Sequence, residues 1–153
     1  MKKIKLTRGK YTLVDDDIFE LLNKQKWCFL EAGSHGYAER KENNKIIRMH
    51  RQILKIENGN LVDHINGNGL DNRRENLRIC NNKENSWNSK LSKKNTSGFK
   101  GVDYKGKGWR VRIMVNYKYI YLGNFKNKIE AAEIYNRAAI KYFGNFAKLN
   151  LLK

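Results

Sequence analysis

Val62-Asp63-His64-Ile65-Asn66-Gly67-Asn68, followed by Asp71-Asn72-Arg73-Arg74-Glu75-Asn76-Leu77-Arg78, is the stretch that decides the fold. Leu61 to Ile65 reads as a short apolar strand with an acid and an imidazole embedded in it. Asn66-Gly67-Asn68-Gly69 is a turn, because these residue types take left-handed backbone at low cost. Asn76 to Cys80 is a second short strand. Asn81 then opens a helix, with Glu84 three residues on to complete a reciprocal cap. The order is strand, loop, strand, helix within about 30 residues.

Hydrolysing a phosphodiester requires a base to activate water and a cation to neutralise charge on the phosphate and the leaving oxygen. Asp63 offers a carboxylate to a hard cation, and His64 an imidazole that titrates near neutrality. Neighbours in an ideal strand face opposite ways. The two therefore share a site only where the strand ends or bends, and Asn66-Gly67 lies just beyond them.

Working outward, alternation around Thr7-Arg8-Gly9-Lys10 predicts a hairpin from Ile4 to Val14. Asp15-Asp16-Asp17 cap a short helix, Ile18 to Asn23; three acids in a row also suit a divalent metal, but the apolar Ile18/Leu21/Leu22 face that follows favours the helix start. Trp27–Leu30, Tyr37–Arg40 and Ile46–Met49 are strand-like, with turns at Gly33-Ser34 and Asn43-Asn44, and His50–Ile56 is a short helix. His50 is read as a packed structural histidine in preference to a DNA contact. Residues 89–98 are polar and basic and read as a linker. Three strands follow, Phe99–Tyr104, Trp109–Val115 and Tyr119–Leu122, and then a helix capped by Asn127 and ended by Gly144. Period-two alternation in Trp109–Val115 sends the apolar set to the helix and Arg110 and Arg112 to the open face, with Tyr119 and Tyr121 outward on the next strand. A basic, aromatic sheet face suits a DNA groove.

Lys and Arg number 32 against 15 Asp and Glu, a formal charge of +17 that points to a polyanionic partner without separating DNA from RNA. There is no apolar run of about 20 residues to span a membrane. The start lacks the apolar core of a secretory signal, so a cytoplasmic protein is expected. Two cysteines, Cys28 and Cys80, build neither a disulfide framework nor a zinc site and read as ordinary thiols.

The Asp-His-Ile-Asn-Gly-Asn … Asn-Leu-Arg string, with Asn85 and Asn88 beyond it, closely resembles the HNH (ββα-metal) nucleases, nearest to the phage and intron-encoded homing endonucleases. The upstream Val14-Asp15-Asp16-Asp17, Lys26-Trp27, Gly36-Tyr37-Ala38 and Met49-His50-Arg51 extend the resemblance over residues 1–88. It implies that His64 is the general base, Asp63 a metal ligand, Asn76 the residue that orients the imidazole and fixes its tautomer, and Asn85 the second metal ligand. Amide and carboxylate oxygens suit one Mg²⁺ or Mn²⁺ per active site. Asn66, Asn68 and Asn72 are read as turn-formers. Asn88 lies one turn beyond Asn85, as a supporting residue or a bystander. Arg73, Arg74 and Arg78 flank the motif and are expected to hold phosphates.

Phe99-Lys100-Gly101-Val102, Trp109-Arg110-Val111-Arg112-Ile113, Tyr121-Leu122-Gly123-Asn124-Phe125, Glu130-Ala131-Ala132, Tyr135-Asn136-Arg137-Ala138-Ala139 and Ala147-Lys148-Leu149-Asn150 resemble the plant ethylene-response-factor (APETALA-type) DNA-binding domain, over residues 97–151. That family's sheet contacts fall on Lys100, Lys105, Arg110, Arg112, Tyr119 and Tyr121. Asp103 departs from it, standing where plant members carry a DNA-contacting arginine.

The expectation is an α+β chain: an HNH domain over 1–92 with its ββα core at about 60–90, a linker over 93–98, and a three-stranded sheet packed on one helix over 99–153. The partner is double-stranded DNA, with no membrane or small-molecule substrate, bound by a monomer or a DNA-assembled dimer. The competing functions are a non-catalytic sequence-specific DNA-binding regulator and an RNA-binding or ribosome-associated protein.

Overall fold

A computed structural model describes residues 1–32, 35–56 and 59–152. The fold is α+β, with small antiparallel sheets and four α-helices among the described residues. The chain divides into two compact units, Met1–Asn85 and Ser86–Lys153. No helix among the described residues is long and apolar enough to cross a membrane.

In the first unit β1 (Lys2–Lys5) and β2 (Tyr11–Val14) form the predicted hairpin, closed by a short 3-10 turn in which Arg8 has φ 57°. Helix α1 (Asp16–Asn23) follows, its first turn carrying Asp16 and Asp17. A second sheet has the order β3 (Cys28–Ala32), β4 (His35–Glu42), β5 (Lys45–Arg48). Asn43 and Asn44 both take positive φ, so they supply the tight turn expected of them. The turn predicted at Gly33-Ser34 lies outside the described residues. Ile4, Leu6, Val14, Leu22, Trp27, Ala38 and Met49 form the core, with Met49 opening helix α2 (Met49–Ile53). The ribbon β6 (Leu61–His64) and β7 (Leu77–Cys80) pairs Asp63 with Arg78 and His64 with Leu77. Helix α3 (Asn82–Trp87) follows at once, and its cap is reciprocal as predicted: Asn81 N–H donates to Glu84 Oε2 and Glu84 N–H to Asn81 Oδ1, both at 2.9 Å.

In the second unit β8 (Val102–Lys105), β9 (Gly108–Val115) and β10 (Lys118–Phe125) make an antiparallel sheet with β9 central. Helix α4 (Lys128–Phe143) starts where Asn127 accepts the N–H groups of Ile129 and Glu130. Val102, Val111 and Ile113 bury against Ala131, Ala132, Tyr135, Ala138, Ala139 and Phe143, the alanines letting the helix lie close on the strands.

The segment predicted as a linker belongs to this unit. Trp87 stacks on Phe143 with ring centroids 4.7 Å apart. Ser97 is 2% exposed, its hydroxyl 2.6 Å from the Val102 carbonyl, and Asn95 Oδ1 accepts the Gly98 N–H. The short polar side chains of this segment bond backbone. Gly101 takes φ 75°, and a methyl group there would overlap the Tyr135 ring and crowd the Arg112 carbonyl. Gly101→Ala is therefore expected to destabilise this unit by about 2–4 kcal/mol, from left-handed strain plus overpacking. Thermal melts would read this directly, and an unchanged midpoint would contradict the packing described.

Candidate functional site

His64 is the last residue of β6 and is 5% exposed. The strand ends there because Gly67, with φ 75°, donates its N–H to the His64 carbonyl at 2.7 Å. The imidazole lies edge-on to His50, centroids 5.1 Å apart, with Tyr37 at 6.0 Å. Its Nε2 is 3.0 Å from Asn72 Oδ1.

Asn72 is wholly buried and continues a chain with one direction. The Leu70 carbonyl can only accept, so the Thr12 hydroxyl donates to it, at 2.8 Å. Thr12 Oγ1 is then the acceptor for Asn72 Nδ2 at 2.7 Å, which turns Asn72 Oδ1 toward the ring. An amide oxygen also only accepts, so Nε2 carries a proton. The tautomer of His64 is thus set from β2, 52 positions away in sequence (64 − 12). The loop itself is stitched to that strand, Leu13 N–H donating to Leu70 and Asn72 N–H to Leu13.

Sequence reasoning missed Asn72, whose residue type reads as a turn-former. It gave the orienting role to Asn76, which makes no hydrogen bond to the ring among the described residues. Asn76 instead bonds the backbone just after His64. Its carbonyl accepts the Ile65 N–H and its Oδ1 the Asn66 N–H, both at 2.9 Å, while Nδ2 donates to the Asp71 carbonyl. These are the orphan groups left where β6 stops.

Asp63, 7% exposed, meets Arg78 across the ribbon, with Nε at 2.8 Å and Nη2 at 2.6 Å, both on Oδ2. Asn85 is exposed on α3, and its side chain takes no hydrogen bond from a described residue. A carboxylate and an amide oxygen are hard donors that fit Mg²⁺ or Mn²⁺. No group of three or more His, Cys, Asp or Glu suited to a metal exists among the described residues. Cys80 is buried and its thiol is pushed up to about 11 by burial and by Asp63 and Glu84, so it stays protonated, while Cys28 is exposed.

His50 is 5% exposed, as a packed histidine should be, and its Nδ1 has no partner among the described residues. Burial, with His64, Arg48 and Arg51 nearby, pulls its pKa from 6.5 down to about 3. The folded chain therefore holds it neutral where the unfolded chain protonates it. Stability contributed by neutral His50 is present above pH 6.5 and lost as pH falls toward 3, by up to about 1.4 kcal/mol per pH unit. Urea midpoints at pH 7 and pH 5 are expected to differ more for the parent than for His50→Phe; equal differences would refute this.

The three arginines flanking the motif each pair with a carboxylate of the first unit. Arg73 bonds Asp71 through Nε and Nη2, both at 2.7 Å. Arg74 donates to Asp17 at 2.8 Å, its backbone N–H going to Asp15, and Arg78 is held by Asp63. Each has found a carboxylate that charge counting could not assign to it. Other cations line a cleft of ≈ 430 Å³ on β5 and α2, where Arg40, Arg48, Arg51 and Lys55 surround Ile46, Ile47 and Ile56. Arg48 and Lys55 are exposed there.

In the second unit Lys105, Tyr119 and Tyr121 are exposed as predicted. Lys100 is not an outward contact: its ammonium donates to the Trp87 and Ser89 carbonyls at 2.7 and 3.0 Å, and burial, with Lys148 nearby, lowers its pKa to about 8. Arg110 and Arg112 both reach Asp103, which pairs with Arg110 in register.

The first unit thus presents a strand-loop-strand-helix arrangement with an acid-imidazole pair at the end of its first strand. The HNH endonuclease family matches residues 49–87. The chain is 34% identical over 113 residues to Protein 3.8 of Escherichia phage T7, spanning 68% of this chain and 91% of that protein. It is 31% identical over 149 residues to an uncharacterized HNH endonuclease of Acanthamoeba polyphaga mimivirus, spanning 94% of this chain and 76% of that one. Over 58 residues, 36% of the chain, it is 43% identical to APETALA2-like protein 2 of Oryza sativa, of which that segment covers 13%. No solved structure matches. The chain belongs to the HNH endonuclease family and is a nuclease.

Proposed function

We propose that the chain cleaves duplex DNA by hydrolysis at one active site, with His64 as general base and the sheet face of the second unit holding the duplex. The supporting observation is the direction of the Leu70–Thr12–Asn72–His64 chain, which makes Nε2 a hydrogen-bond donor and so assigns the role of base to Nδ1. That nitrogen takes a proton from water as the water oxygen attacks phosphorus and the P–O bond to the leaving sugar oxygen breaks. Asn76 holds the backbone after the base in place. A divalent cation on Asp63 and Asn85 would supply positive charge to the phosphate and the leaving oxygen. Arg48 and Lys55 in the β5–α2 cleft, with Lys105, Tyr119 and Tyr121 on the sheet, contact the DNA backbone. One site per chain nicks one strand, and site-specific cleavage of both strands, as in homing, takes two chains.

Supercoiled plasmid with Mg²⁺ is expected to relax to the nicked form, and EDTA to abolish the conversion. A DNA-binding regulator would retard the plasmid without nicking it. Nicking that survives EDTA would remove the cation from the reading.

A further inference from the structure

We propose that Arg78 is the resident counter-ion of Asp63 and gates the divalent cation, holding the carboxylate until a DNA phosphate offers the guanidinium another partner. The proposal rests on the reading that Asp63 is a ligand of that cation, and it adds the order in which the site fills.

The register of the ribbon sets Arg78 directly opposite Asp63, so both side chains leave the same face of the sheet. Both are largely shielded from water, with 15% of the arginine side chain and 8% of the aspartate side chain exposed. Nε at 2.8 Å and Nη2 at 2.6 Å both donate to Oδ2. Two donors are as many as the lone pairs of that oxygen accommodate. Of the three arginines flanking the motif, Arg73 and Arg74 pair with Asp71 and Asp17, and only Arg78 pairs with a proposed metal ligand.

A carboxylate this buried requires a positive partner, and Arg78 meets that requirement without metal. It also stands in the way of one. A divalent cation that joins the pair leaves excess positive charge where solvent screens it poorly. A cation that displaces Arg78 strands a guanidinium cut off from its carboxylate. Beyond Asp63 the ion has only the Asn85 amide to gain, too little to drive either change alone. A phosphate alters the balance on both sides. Its oxygens add hard ligands for the cation, and it is the other anion that a guanidinium fork fits. The carboxylate then exchanges guanidinium for metal, and the guanidinium exchanges carboxylate for phosphate. Loading of the ion is thereby tied to the presence of substrate.

The test is Mn²⁺ binding to the full chain without DNA, read by electron paramagnetic resonance of the free ion. Arg78→Gln is expected to bind Mn²⁺ about tenfold more tightly than the parent, within the usual range of coupling between two ligands. Asp63→Asn combined with Arg78→Gln should lose that gain, since the ion then has no carboxylate. Mn²⁺ should also raise the melting midpoint of Arg78→Gln more than that of the parent, because the ion takes over as counter-ion. The parent chain supplies a measurement that needs no folded variant. In nitrogen-15 spectra the Arg78 Nε–H resonance should stay in place with Mg²⁺ alone and move when Mg²⁺ and a short duplex are added together. A resonance that moves with Mg²⁺ alone, or stays with the duplex bound in Mg²⁺, overturns the proposal. So does a folded Arg78→Gln chain with the parent's Mn²⁺ affinity, or a double variant that keeps the gain. An Asp63→Asn chain that nicks plasmid at the parent's rate in the same Mg²⁺ would instead remove Asp63 as a ligand, and with it the reading beneath the proposal.

Discussion

Replacing His64 by alanine is expected to slow strand cleavage by about 10²–10⁴-fold, the usual contribution of a positioned acid–base group. The ring is 5% exposed and packed against His50 and Tyr37, so the substitution also leaves a cavity. His64→Gln, closer in volume, separates the two effects, since it should be as inactive as the alanine variant but melt nearer the parent. Duplex binding in a mobility shift should survive both. Nicking at the parent rate by either variant would remove His64 from the chemistry.

Thr12 offers the second large effect, although it touches no substrate. Thr12→Val deletes the hydroxyl that accepts from Asn72 Nδ2, leaving a wholly buried amide free to rotate. Rotation would present Nδ2 to the imidazole, making Nε2 the acceptor and putting the proton on Nδ1. A misplaced tautomer in a serine protease triad costs about 10⁴ in kcat, so a fall of roughly 10²–10⁴-fold in kcat is expected, with KM little changed. Thr12→Ser should restore the rate. Nitrogen-15 spectra of labelled histidine report directly which ring nitrogen is protonated. If Thr12→Val keeps the proton on Nε2 and cleaves normally, the hydrogen-bond chain has no part in catalysis.

Residues whose partners are near in sequence were the ones most easily read. The Asn81–Glu84 cap spans three positions and needs only its two members to be recognised. The Asp63-His64 pair and the Asn66-Gly67 turn announce themselves for the same reason. Asn72 did not, because its partner Thr12 is 60 residues away and a buried asparagine looks no different in sequence from one in a turn. The arginines misled in the complementary way. Arg74 meets Asp17, 57 residues earlier, so a cation that composition credits to DNA is already neutralised within the fold. Lys100 belongs with it, an ammonium used to tie down backbone carbonyls. Asp103 stood out as a departure from a resemblance, and only the strand register, which sets it opposite Arg110, gives that departure a meaning.

The hairpin of residues 2–14 bears on how such an enzyme can be silenced. A protease that nicked the chain just after Val14 and released the leading peptide would leave the whole Asp-His … Asn-Leu-Arg string intact. The histidine would then lose the strand that decides where its proton sits. Because Ile4, Leu6 and Val14 would leave the core with that peptide, the first unit would open as well, and silencing would arrive without any inhibitor entering the cleavage site.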